Sequence, residues 1–255
     1  MKLRIAQIKT VPVKGDLEAN HLTLMGLLDR IDGESVDVLV TPECFLDGYV
    51  CTESEVTEAT IGRYAVVPEE SPYVRAVREW AKSTRTWVVY GCMRADQTGI
   101  YNSSLAIDRT GTIVGTYDKV HCQTHDLKYH AGKSLRVFES DFGPFGMMIC
   151  ADRRWPETVR TLAVRGARII FNPTYGMHDQ RNMCMMQTRS YESEVFIVFC
   201  HPWQSLVTDP RGEIVVNNEA RDEQITICDV GLSLVDRIRR GASAHLKDRR
   251  PDLYE

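Results

Sequence analysis

The chain reads as short apolar runs separated by longer stretches in which apolar residues return every three or four positions. Residues 3–8, 36–40, 87–90, 104–107, 147–150, 168–171, 195–199, 205–208 and 224–229 are short, rich in Val, Ile and aromatic residues, and bounded by Gly, Pro, Asn or Asp. Runs of that length and composition predict buried strands. Between them, residues 17–31 place Leu17, His21, Leu24, Leu28 and Ile31 on one helical stripe. Residues 73–82 and 156–165 give two further helices, the second with Pro156 in its first turn and Gly166 just past its end. Strands alternating with helices predict an α/β fold.

One pattern occurs twice. Residues 104–114 and 205–215 share the frame S-L-x-x-D-x-x-G-x-I-V. Each reads as strand, turn and strand, with Asp opening the turn and Gly supplying positive φ. Residues 38–42 (VLVTP) resemble 169–173 (IIFNP), and 87–90 (WVVY) resemble 196–199 (FIVF), in the same order. Ordered similarity of this kind predicts two related halves about a pseudo-twofold axis, within a single domain spanning 1–255. The charged segment 242–255 is expected on the surface or against a partner chain.

Charge narrows the functions available. Lysine plus arginine is 31 and aspartate plus glutamate is 35, a formal charge of −4. A mildly acidic chain lacks the footprint for gripping nucleic acid or an anionic membrane. The apolar run 195–200 is far short of a membrane span, and residues 1–9 lack the apolar block of a signal peptide. A cytoplasmic location is expected. The cysteines at 44, 51, 92, 122, 150, 184, 200 and 228 show no Cys-x-x-Cys pair, so neither a zinc knuckle nor a thioredoxin-like site is predicted. In a reducing compartment they are expected as free thiols.

Three clusters could carry chemistry. Thr41-Pro42-Glu43-Cys44-Phe45 follows a strand, and a carboxylate at such a strand end points into the crevice where α/β proteins bind ligands. Tyr117-Asp118-Lys119-Val120-His121 follows the first repeat hairpin. In the third, residues 149–157, an apolar strand delivers Cys150 just before a helix. A thiol near a helix N-terminus is activated as thiolate, and a strand-to-helix turn offers N–H groups to an oxyanion. Taken singly, each has an ordinary structural reading: a capping glutamate, a surface lysine, a core cysteine. Their combination at strand ends is what points to a site.

These residues resemble the nitrilase superfamily of carbon–nitrogen hydrolases across nearly the whole chain. Pro42-Glu43, the segment 117–121 and the segment 150–157 match that family's three catalytic motifs in order. Residues 189–193 (RSYES) stand where the family has R-A-x-E-N, and 248–254 resemble its C-terminus. The resemblance implies a four-layer α-β-β-α sandwich with Cys150 as nucleophile, Glu43 as general base and Lys119 as oxyanion stabiliser. It implies no metal or organic cofactor. A thiolate splits amide hydrolysis into acylation and deacylation. Glu43 can pass the thiol proton to departing ammonia and then activate water. The N–H of Ala151 can assist Lys119 at the oxyanion. The implied substrate is a small-molecule amide, ureido compound or nitrile, and the implied assembly is a homodimer or higher even homo-oligomer, with 242–255 at its interface.

Two features depart from the family pattern. Its second glutamate is replaced by Asp126, three residues before Tyr129, in a shortened segment; Asp126 fills that role from a shifted backbone, or His125 contacts substrate, or the role is absent. The run Cys-x-Asp-Arg-Arg-Trp-Pro-Glu-Thr is similar to that of N-carbamoyl-D-amino-acid amidohydrolases, where arginines here hold the substrate carboxylate. That implies a carboxylate-binding Arg153, with an ion pair at the helix start as the alternative, and makes Arg154 a scaffold residue. His121, His125 and His130 share a loop with no ligand-rich partner, so no metal site is expected. An amidase or ureido-hydrolase is the preferred reading; a nitrilase proper and a regulatory member of the fold are the alternatives.

Overall fold

The computed structural model describes residues 2–31 and 35–254. Its elements follow the chain as β1 (Lys2–Ile8), α1 (Leu17–Asp29), β2 (Val38–Val40), α2 (Pro72–Thr84), β3 (Trp87–Asp96), β4 (Gly99–Ile107), β5 (Ile113–Asp118) and β6 (Val137–Phe138). There follow β7 (Phe145–Met147), α3 (Pro156–Val164), β8 (Ile169–Pro173), α4 (Gln180–Ser193), β9 (Phe196–His201), β10 (Gln204–Thr208), β11 (Ile214–Asn218), β12 (Ile225–Gly231) and α5 (Ser233–Arg239). One sheet has the order β12-β1-β2-β3-β4-β5, the other β11-β10-β9-β8-β7-β6.

The two sheets repeat each other's pairing. β1, β2 and β3 are parallel neighbours, and β4 and β5 then add antiparallel. β7, β8 and β9 are likewise parallel, and β10 and β11 add antiparallel. Even the irregularities match, at Ala106/Ile107 in one hairpin and Val207/Thr208 in the other. Each half also places its last strand in the other's sheet: β12 lies beside β1, and β6 beside β7.

Both faces of each sheet are covered, which is why the central strands are apolar throughout rather than alternating. Leu3, Ile5, Val38 and Val40 meet Phe145, Met147, Ile169 and Phe171 between the sheets. The opposite face of the first sheet, with Ala6, Ile8, Leu39 and Val88, packs under Leu24 and Leu28 of α1 and Val74 and Val77 of α2. On the second sheet Met148, Ile170 and Ile197 pack under Val159 and Leu162 of α3 and Met186 of α4. The layers are α-β-β-α, the expected sandwich.

Some expectations need adjusting. The run 147–150 is not all strand: β7 stops at Met147, and Cys150 opens a 3-10 helical turn, Cys150–Arg154, before α3. Within α1 the buried residues are Asn20, Leu24, Leu27 and Leu28 rather than a stripe through His21. Asn20 belongs inside because its amide bonds to Val13 and Leu46 backbone groups. α4 was not foreseen, because its buried face is Asn182, Met186, Ser190 and Ser193 and carries no apolar stripe. In the C-terminal segment Ala244 is buried, while Leu253 and Tyr254 are 69% and 55% exposed; Glu255 lies outside the described residues. No helix among the described residues is long and apolar enough to cross a membrane.

Candidate active site

Glu43 sits three residues beyond β2, fully buried. Its loop is pinned to β3, since Thr41 N–H donates to Val89 O and the Gly91 N–H donates to Thr41 Oγ1, at 3.0 and 2.8 Å. β3 passes so close that a Cβ on Gly91 would lie 2.2 Å from Pro42 O. Glu43 Oε1 accepts from Lys119 Nζ at 2.7 Å and from Asn102 Nδ2 at 2.8 Å. Its Oε2 accepts from the Tyr175 N–H at 2.9 Å.

Lys119 follows β5 and is buried; its own N–H donates to Asn102 O. Its ammonium lies between Glu43 Oε1 and Asp126 Oδ2, both at 2.7 Å. Burial by itself lowers the Lys119 pKa; the charges of Glu43, Cys150 and Asp126 outweigh it and raise it well above the usual lysine value. Asp126, in the 3-10 turn Thr124–Lys128, is buried and also accepts from Tyr49 OH at 2.9 Å. His125 on the same turn is exposed, and its side chain stands apart from the Glu43, Lys119 and Asp126 hydrogen bonds.

Cys150 is 8% exposed and adopts φ 45°, a left-handed backbone that a non-glycine residue rarely takes. The loop after β8 closes over it: a Cβ on Gly176 would stand 3.3 Å from its Sγ. Glu43 and Cys150 therefore flank consecutive residues, Tyr175 and Gly176. Ala151 is buried in the first turn of the 3-10 segment, where N–H groups lack helical partners. Burial pushes the Cys51 and Cys122 thiols up to about 12 and that of Cys44 well above its usual value, which keeps these neighbours protonated and inert.

Asp152 joins the lysine and cysteine segments. Its Oδ2 accepts from Tyr117 OH at 2.7 Å and the Ile149 N–H at 2.9 Å. Its Oδ1 meets the His121 N–H at 2.9 Å and His121 Nδ1 at 2.7 Å. His121 stacks on Trp155 with centroids 4.1 Å apart. Residues on both sides of Lys119 are thus tied to one carboxylate beside the cysteine.

The two arginines differ in burial. Arg153 is buried, with Nε on Asn182 Oδ1 at 2.6 Å, Nη2 on Met177 O at 2.6 Å, and Nη1 on Cys150 O. Nη1 also stands 3.6 Å from Cys150 Sγ. Arg154 is exposed and donates to Gln123 Oε1 at 2.9 Å. The 3-10 turn causes the difference, because it points residue 153 inward beneath α4. Sequence reading also missed Asn102, Tyr49 and Tyr175, which hold the two carboxylates. Tyr175 contributes a backbone N–H, which leaves no trace in residue type. No group of three or more potential metal ligands stands together among the described residues.

Residues 2–240 match the carbon-nitrogen hydrolase family model. The chain belongs to that family. It is 26% identical to a nitrilase of Pyrococcus abyssi over 99% of both chains. It is also 26% identical to an omega-amidase of Danio rerio, over 99% of this chain and 96% of that one. Among solved structures, an amidase of Nesterenkonia sp. AN1, carrying the acetamide moiety of fluoroacetamide on its active-site cysteine, superposes with TM-score 0.81 at 19% identity, covering 98% of this chain and 95% of that one. These similarities extend to nitrilases and amidases alike and do not single out the N-carbamoyl-D-amino-acid branch.

Proposed function

We propose that this carbon–nitrogen hydrolase cleaves a small-molecule amide through an acyl-enzyme on Cys150, releasing ammonia. The observation that carries the reading is the Lys119 ammonium clamped between two buried carboxylates beside a cysteine in a left-handed turn. Glu43 takes the thiol proton, and sulfur attacks the carbonyl carbon. An ammonium has three N–H groups; two are committed to Glu43 and Asp126, and the third serves the tetrahedral oxyanion together with the Ala151 N–H. Ammonia leaves with the proton held by Glu43. Glu43 then activates water against the thioester. Asp126 and Tyr49 hold Lys119 in place.

The finer reading, an N-carbamoyl amino acid held by Arg153, gains little from the geometry. A carboxylate clasp uses two adjacent N–H groups, and Nε, Nη1 and Nη2 each already donate within the chain. Ammonia release from short amides, dicarboxylate monoamides, N-carbamoyl amino acids and nitriles tests the proposal, with mass spectrometry of enzyme quenched during turnover. The expected result is turnover of amides and an acyl adduct on the Cys150 peptide. An adduct on Cys44 or Cys122, or turnover of nitriles alone, overturns it. Exposed Leu253 and Tyr254 support the expectation that 242–255 meets a second copy; sedimentation at the monomer mass of 29.0 kDa would refute that.

A further inference from the structure

We propose that the Arg153 guanidinium is the counter-ion of the Cys150 thiolate, and so a catalytic residue rather than a substrate clasp. This rests on the reading of Cys150 as nucleophile. A buried charge is costly unless it is paired, and Arg153 stays charged at any working pH. Its hydrogen bonds go to neutral oxygens of Asn182, Met177 and Cys150. It lies 5.3 Å from the Phe199 ring centroid, and no carboxylate among the described residues forms an ion pair with it. Asp152, one residue away, is turned toward Tyr117 and His121. The acidic atom on Arg153 is Cys150 Sγ, 3.6 Å from Nη1.

The other positive groups near the sulfur are displaced from it or already engaged. α3 begins at Pro156, with the 3-10 turn Cys150–Arg154 before it, so the α-helix N-terminus does not abut the sulfur. The Lys119 charge already faces two carboxylates at 2.7 Å. Lys119 and Arg153 together balance Glu43 and Asp126. When the proton moves from Sγ to Glu43, the net charge of the cluster does not change: negative charge leaves the carboxylate beside Lys119 and arrives on the sulfur beside Arg153. Without Arg153 only Lys119, which already faces two carboxylates, would remain to offset the charge on the sulfur.

The test uses iodoacetamide, which alkylates the thiolate, from about pH 5 to about pH 10, with the Cys150 peptide followed by mass spectrometry. In Arg153→Gln, alkylation at pH 7 is expected to slow about tenfold or more and the profile to move up by about one pH unit or more; Arg153→Lys should fall between. Superimposable profiles for wild type and Arg153→Gln overturn the proposal. Should Arg153→Gln not fold, the ultraviolet thiolate band of wild type minus Cys150→Ser decides. The band is expected at neutral pH, and a band emerging only where a free cysteine ionises, near about 8.5, refutes the ion pair. Neither readout needs substrate. Ammonia release judges the amide reading separately: an anchored thiolate without amide turnover sinks that reading alone.

Discussion

The two halves of the molecule share a strand plan and divide the chemistry. Register makes them comparable residue by residue: Ile5 pairs with Val38 as Phe145 pairs with Ile169, and Ser104 faces Tyr117 as Ser205 faces Asn218. On that register Glu43 corresponds to Thr174, Lys119 to Ala220, and Cys150 to Thr10. The base and the ammonium come from the first half and the nucleophile from the second. The reciprocal set holds no carboxylate, ammonium or thiol. There the Lys9 ammonium bonds to Ala220 O, and Trp203, opposite number of Asn102, packs its ring 6.2 Å from Tyr175. A duplicated frame offers each catalytic position twice, and here each is used once.

The sharpest way to break this comparison is at the matched positions. Cys150→Ala and Glu43→Gln should each cut ammonia release by about three to four orders of magnitude, while Thr10→Ala should change it by less than about twofold. Comparable losses would show that the reciprocal set is chemically engaged. Next in size is packing at Gly91 and its counterpart Cys200. A methyl at Gly91 collides with Pro42 O at 2.2 Å, and both are backbone-bound. Gly91→Ala should cost about 3 kcal/mol or more, and Cys200→Ala about 1 kcal/mol, read from urea unfolding midpoints.

Each half also buries one titrating group in its uncharged form, with opposite consequences for pH. Burial raises Asp47 to about 7, above its unfolded value, so its contribution is present in acid and is lost as pH climbs through neutrality. Asp47→Asn should therefore gain about 2 kcal/mol on wild type between pH 5 and pH 8. Burial, then the charge of His178, lowers His201 to about 3, so its contribution is present above the unfolded value and is lost as pH falls. His201→Gln should gain on wild type from pH 7 to pH 5. Thermal melts across that range check both, and a gain of the opposite sign in either variant would refute its assigned burial. The smallest contrast is Tyr117→Phe, which frees one oxygen bond of Asp152 and should cost about 1–2 kcal/mol. Asn218→Ala at the matched, half-buried position, which bonds Thr226 and the Ala220 N–H near the surface, should cost about 0.5–1 kcal/mol.

The repeat was legible because its hairpins are set by local turn chemistry, which residue type reports directly. Glu43, Lys119 and Cys150 were legible as residues at strand ends, and the structure brings them together. α4 was not, because its inner face is built for hydrogen bonding: Asn182 accepts from Arg153, and Ser190 meets Thr208 at 2.6 Å. Periodicity of apolar residues cannot register a polar face. The difference in burial between the two arginines was not legible for a related reason. Adjacent residues of one type differ only in the direction the backbone sends them, and that direction follows from a short 3-10 turn the pattern did not foresee.

The exchange of edge strands has a consequence for how the protein is made. β1 leaves the ribosome long before its outer neighbour β12, with more than two hundred residues between them. Until β12 follows, the first sheet keeps an unpaired edge, the kind of surface on which nascent chains stick to one another. β6 cannot find its place before β7 exists, so cutting the gene between the halves would leave both fragments with a strand belonging to the other. A nascent chain stalled before residue 225 should need a chaperone, and two separately expressed halves should be soluble only when they are made together.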